Sequence, residues 1–263
     1  MTIVIFIVVL VVLIVVHEFG HFVVAKWAGM KVEEFGLGYP PRAATFATMG
    51  ETRYTLNWIP FGGFLKILGE DGVPGGLPDP RAFTSRSRHL QALVLVAGIA
   101  MNLFLAWVLL SIVLMAPRQV SPHEFVAGKA LIPAFIEGAV LTSTATQAVA
   151  VGLADFFLGV FTLRADFSQV SGPVGIAGVV GDAARAGWQQ LFSLSALISI
   201  NLALINLIPI PALDGGRLLF VAIEALLRRP LNPAIAGRVN MVGFMALILL
   251  MVVVTVSDIY KLF

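Results

Sequence analysis

The sequence predicts a mainly α-helical, polytopic membrane protein. It should have about four transmembrane helices, a small membrane-associated β-hairpin or sheet on the cytoplasmic side and an external amphipathic helix. Three observations lead there. Apolar residues make up 59% of the 263 and charged residues 12%, about half the charged share of an average soluble domain. The apolar residues gather in four runs long enough for a helix to cross a hydrocarbon core about 30 Å thick. Between the first two runs, a stretch alternates polar and apolar side chains, as a half-buried strand does.

The same composition removes whole classes of function. So few charges cannot clothe a water-soluble enzyme of this length. The abundance of Leu, Val, Ile and Phe argues against disorder. There are no cysteines, hence no disulfide framework, thiolate nucleophile or sulfur-ligated metal. Net charge is +2, and no basic block resembles a nucleic-acid footprint.

The first span covers about residues 3–24. It lacks a basic start and a small-residue cleavage site, and it carries His17, Glu18 and His21, so it reads as a retained helix and not a signal peptide. Residues 31–70 hold the strand region: Arg53 to Trp58 alternate, Gly50 offers a turn before them and Gly62-Gly63 a break after them, with Phe64 to Ile67 as the next strand. Residues 71–80 contain three prolines and three glycines and read as a loop or linker. The second span covers about 90–115, the third about 191–210 and the fourth about 239–256. The segment between the second and third spans, 117–188, is expected outside. Within it, 131–163 is apolar but carries Glu137, Asp155 and several Thr and Ser. It reads as an amphipathic helix on the outer surface, with a fifth span as the alternative. The chain as a whole, 1–263, reads as a single membrane-embedded domain.

Twelve of the 17 basic residues fall between spans one and two or between spans three and four. With four spans these segments share a side. The positive-inside rule makes that side cytoplasmic and puts both termini outside.

His17-Glu18-Phe19-Gly20-His21 is an H-E-x-x-H motif. On a helix, positions i and i+4 share a face. Both imidazoles can then grip one zinc, with Glu18 beside it to handle a water proton. Charged residues inside a span cost about 2.5–3.5 kcal/mol each on insertion scales, a penalty that metal binding relieves for the ligands. A catalytic zinc usually has three protein ligands and an open position. Asp214 is the best third ligand. It ends a stretch, Asn206 to Gly216, in which Pro209 and Pro211 each remove a backbone donor. Irregular backbone at membrane depth is tolerated only where it is buried in protein or lines a wet cavity. The alternative is that Asp214 merely caps the next helix. Asp155, Asp182, Glu224 and Asp258 are placed less well. Asn102, Asn201 and Asn206 are amides within apolar spans, which either bond a neighbouring helix or face a substrate. His89 and His123 read as ordinary surface histidines.

H-E-F-G-H in the first span together with N-L-I-P-I-P-A-L-D-G-G after the third resembles the site-2 protease family of intramembrane zinc metalloproteases, and within it the bacterial regulator-of-sigma-factor group. Gly36 to Pro40, Gly62 to Lys66 and Ser171 to Ile176 resemble further family segments. The resemblance implies one zinc per chain held by His17, His21 and Asp214, with Glu18 as catalytic acid/base. Asn206 and Pro209 match the asparagine and proline of the family motif, and with Asn102 they are candidates for substrate binding. The implied partners are the lipid bilayer of the bacterial inner membrane and a single-span membrane protein, an anti-sigma factor or a remnant signal peptide. The active site would lie toward the cytoplasm, and an extended substrate could add to the edge of the 51–68 hairpin. Two departures stand out. Too few residues follow span two for the group's usual PDZ domain, and Gly98 to Asn102 lacks the proline of the group's G-P-x-x-N. A rival from another class is a metal or proton transporter built on the same His/Glu cluster.

Overall fold

The computed structural model describes residues 1–70, 79–121, 124–162 and 171–261. The elements, in chain order, are α1 (Thr2–Trp27), β1 (Val32–Met49), β2 (Thr52–Ile67), α2 (Arg88–Met115), β3 (Arg118–Ser121), β4 (Glu124–Val126), α3 (Leu131–Phe161), α4 (Pro173–Ala186), α5 (Trp188–Leu207), α6 (Asp214–Leu227) and α7 (Pro233–Tyr260). Most of the expected linker at 71–80, and His123, lie outside the described residues.

The four expected spans correspond to α1, α2, α5 and α7. Helix α3, expected along the surface, is also long and apolar enough to cross, so five helices among the described residues qualify by length and composition. The protein is a multi-pass, mainly α membrane protein. Its backbone divides into two compact units.

One unit comprises Ile7–Met101 and Ile205–Ile248. In α1 the buried residues are Leu13, His17, Gly20, His21 and Ala25. Spacings of three and four put them on one helix face, which therefore carries both histidines inward. Ala25, Met30, Val32, Ile67, Phe83, Val94, Leu95 and Val221 form the unit's core. They join α1, both long strands, α2 and α6 in one apolar contact. Phe22 of α1 meets Phe35 of β1 with ring centroids 5.2 Å apart, which seats the sheet on the helix.

The sheet is larger than the sequence suggested. β1 and β2 pair antiparallel, but both strands are used twice. The first half of β1 lies opposite the end of β2 (Val32 with Ile67, Leu37 with Gly63) and also opposite its start (Glu34 with Arg53, Leu37 with Leu56). The second half of β1 closes the hairpin, from Arg42 with Asn57 to Met49 with Thr52. Gly62-Gly63 does not break β2. The strand runs through both, with Gly62 at φ 94°, a left-handed value that glycine adopts without a Cβ clash.

The other unit comprises Met1–Phe6, Asn102–Leu204 and Leu249–Phe263. Its core is Ala106, Ala196 and Ile200, with Leu103, Leu109, Ala145 and Val149 packed against them. A short hairpin of β3 and β4 occupies the connection from α2 to α3. In this unit the Asp258 carboxylate accepts a hydrogen bond from the Gly175 amide at 2.8 Å, which satisfies one of the unpaired donors in the first turn of α4.

Candidate metal centre

Three side chains from two helices converge. His17 Nε2 lies 2.9 Å from Asp214 Oδ2, His21 Nε2 lies 3.2 Å from the same oxygen, and the two Nε2 atoms are 3.1 Å apart. His17 and His21 are buried, at 5% and 6% exposure. Among the described residues this is the one cluster of three potential ligand atoms.

The donor set fits a metal. A tetrahedral zinc with bonds of about 2.0–2.1 Å spaces its ligand atoms about 3.3 Å apart, close to the edges of this triangle. The ring orientation fits as well. His21 Nδ1 lies 2.7 Å from the Val94 carbonyl oxygen. A carbonyl only accepts, so Nδ1 carries the proton and the neutral ring keeps its lone pair on Nε2, facing the cluster. Outer partners of this kind fix ligand orientation at metal sites.

Local backbone explains how Asp214 arrives there. Helix α5 stops at Leu207 because Pro209 and Pro211 remove two donors and disfavour helix before them. The chain turns through Ile208 to Leu213, and Asp214 opens α6. The N-cap position of that helix is Leu213, which makes no side-chain capping bond, and Asp214 stands one residue inside it. Gly215 and Gly216 are helical and buried, not points of backbone freedom. A methyl at Gly215 would overlap the carbonyls of Leu207 and Ile208, and one at Gly216 that of Ile210. They let α6 press onto the turn.

Glu18 lies within electrostatic reach of His21, His17, Asp214 and Glu70. Gly63 of β2 packs against it: a methyl there would sit 2.7 Å from Glu18 Cγ. Glu70, just after β2, pairs with Arg217, three residues beyond Asp214. Sequence reading missed Val94, Gly98, Gly63 and this ion pair. Their signal is tertiary; in the sequence Gly62-Gly63 reads as a strand break and part of a family-like segment, and Gly98 only as part of such a segment.

The other sequence candidates fall as follows. Asn206 is half-buried near the end of α5, and Pro209 is exposed on the turn after it. Asn102 belongs to the other unit, fully buried, where its backbone carbonyl accepts from Ser199 Oγ at 2.9 Å. Asn201 bonds back to the Leu197 carbonyl of its own helix. Glu224 pairs with Arg88 at 2.7 Å, and Asp182 pairs with Arg185. Asp155 and His89 are exposed.

Comparison with known proteins bears directly on this geometry. A sequence model of Peptidase family M50 matches residues 5–250. The chain belongs to Peptidase family M50, the site-2 proteases. A relative from Clostridium acetobutylicum, with a zinc-metalloprotease name, is 30% identical over 323 aligned positions covering 94% of each chain. The regulator of sigma-W protease RasP of Bacillus subtilis is 43% identical over 135 residues, 51% of this chain and 31% of that one. The zinc metalloprotease RasP of Oceanobacillus iheyensis aligns over 423 positions at 26% identity, covering all of this chain and 99% of its own. At least about 160 of those positions have no counterpart in these 263 residues. Family and relatives make this chain a membrane metalloprotease of the site-2 type.

Proposed function

We propose that this chain is an intramembrane zinc endopeptidase that hydrolyses peptide bonds within or near the membrane span of single-span proteins. One observation carries the reading: His17, His21 and Asp214 bring three ligand atoms to one point beside Glu18, within a unit that includes a candidate span. One zinc per chain is held by those three side chains. When bound, it supplies the Lewis acidity that eases loss of a proton from water and polarises a carbonyl.

The chain's own residues do the rest. Glu18 takes the proton of the attacking water and returns it to the leaving amine, a role worth about 10²–10⁴ in rate. The His21–Val94 bond keeps the imidazole turned so that Nε2 faces the reacting centre. Asn206 and Pro209 contact the substrate chain. A substrate span must open its helical hydrogen bonds to present a peptide bond. Adding as a strand to the edge of β2 would replace them, and the contact of Gly63 with Glu18 brings that strand to the catalytic carboxylate.

The substrate class is an anti-sigma factor or a remnant signal peptide, a reading supported by the sigma-W name of one relative. The membrane is the bacterial inner membrane. The basic segments, including Arg42, Arg53, Arg81, Arg217 and Arg229, face the cytoplasm with the active site, and both termini lie outside. The short connection between α2 and α3 leaves no room there for a PDZ domain.

The test is cleavage of a single-span model substrate in proteoliposomes by the parent and Glu18→Gln proteins, with zinc measured in both. The account expects the variant to keep its zinc and lose cleavage. Zinc flux without proteolysis by the parent would replace it with the transporter reading.

A further inference from the structure

The turn that presents Asp214 raises a question of backbone hydrogen bonds, since buried amides need partners. Pro209 and Pro211 have no donor. The Ile210 amide bonds the Ile208 carbonyl at 2.7 Å, and the Leu213 amide bonds that of Ile210 at 3.2 Å. The remaining donor, Ala212, finds no backbone acceptor in the turn. It donates to Oδ1 of Asn240 on α7, at 3.2 Å.

Ala212 needs that support. Its φ is 76°, a left-handed conformation that a residue with a Cβ adopts at a cost. Three residues beyond Asn240, on the same face of α7, stands Gly243. A methyl there would come within 2.5 Å of Pro211 Cβ and 2.6 Å of the Pro211 carbonyl oxygen. Helix α7 thus meets the turn at two adjacent points, an amide that accepts and a glycine that makes room. Asn240 is itself half-buried, in a helix whose apolar run otherwise needs no amide.

We propose that Asn240 is a positioning residue for the metal centre: it holds Ala212 in its left-handed conformation and thereby sets Asp214, two residues on, against His17 and His21. This rests on the zinc reading above. It assigns to α7, which supplies no ligand, a part in holding the site. Loss of the acceptor lets the turn relax to ordinary φ values and carries the carboxylate off the triangle.

The experiment measures zinc affinity by chelator competition on purified protein, beside the kcat of zinc-saturated enzyme. Asn240→Ala is expected to weaken zinc binding at least tenfold. Asn240→Asp, which keeps an oxygen acceptor at the same place, is expected to stay within about threefold of the parent. Ala212→Gly, which makes a left-handed residue 212 inexpensive, is expected to restore most of the affinity when added to Asn240→Ala. A merely structural amide would show neither rescue. Parent-like affinity in Asn240→Ala overturns the proposal, as does a loss that neither second variant repairs. If Asn240→Ala does not fold, the Asn240→Asp and Ala212→Gly proteins still decide: the former must retain the parent's affinity and the latter must not weaken it. A parent that binds no zinc fails the reading beneath, and this proposal with it; a parent that binds with Asn240→Ala unchanged fails this one alone.

Discussion

Gly98 lies hard against the His21 imidazole: a methyl on its Cα would overlap Nε2 of His21 and come 2.9 Å from Cε1 of His17. The smallest side chain is required where α2 passes the two rings. Gly98→Ala therefore has two opposed effects. Alanine favours the α2 helix by about 1 kcal/mol, yet displaces both imidazoles. Helicity by circular dichroism should be unchanged while zinc affinity falls at least about tenfold. Parent-like zinc binding in this variant would mean that the rings do not need their present positions.

Gly63→Ala probes the other side of the site. The added methyl enters the space of Glu18 Cγ and leaves the ligand triangle alone. The expected result is a fall in kcat of roughly a hundredfold, within the range of general acid–base catalysis, with zinc content at the parent level. A variant with full kcat would separate β2 from the chemistry.

The sheet carries its own pH dependence. Burial pushes the Glu34 carboxyl up, but hydrogen bonds from Arg42 and Thr55 and the charge of Arg53 outweigh it and hold the group below the usual carboxylate range. A carboxyl with a depressed folded-state pKa adds stability above its unfolded value of about 4.3, and that contribution is lost as pH falls through the lower, folded value. Thermal unfolding in detergent should thus show a stability decrease below about pH 4 that is smaller in Glu34→Gln. An identical acid profile in the two proteins would remove Glu34 from the explanation.

The absence of cysteine gives a clean background for topology. Lys129→Cys and Ser171→Cys flank α3 and follow it, respectively. If α3 lies along the outer surface, an impermeant thiol reagent added from one side labels both. Labelling from opposite sides would make α3 a fifth span and put the termini on opposite faces.

Much of this was legible in the sequence because it is local. His17 and His21 are four residues apart on one helix, so the helical period alone brings their rings together. The break before Asp214 was legible from Pro209 and Pro211. That Asp214 then meets His17, 197 residues away, rested on chemistry and depth, not on any local pattern. The extent of β1 was not legible: Pro40 and Pro41 fall inside it, and proline ordinarily argues against a strand interior. The doubled use of β1 and β2 had no signal at all, since alternation says nothing of which partner lies alongside. Val94 contributes a backbone carbonyl, which no side-chain pattern can announce. Asn240 sits at the edge of an apolar run, where an amide looks like any other boundary residue.

The central claim is that His17, His21 and Asp214 together hold a metal ion, and zinc stoichiometry by elemental analysis tests it most directly. The account predicts about one zinc per purified parent chain and little or none in His21→Ala or Asp214→Ala proteins of unchanged helicity. A parent without zinc, or variants that retain it in full, would contradict the account.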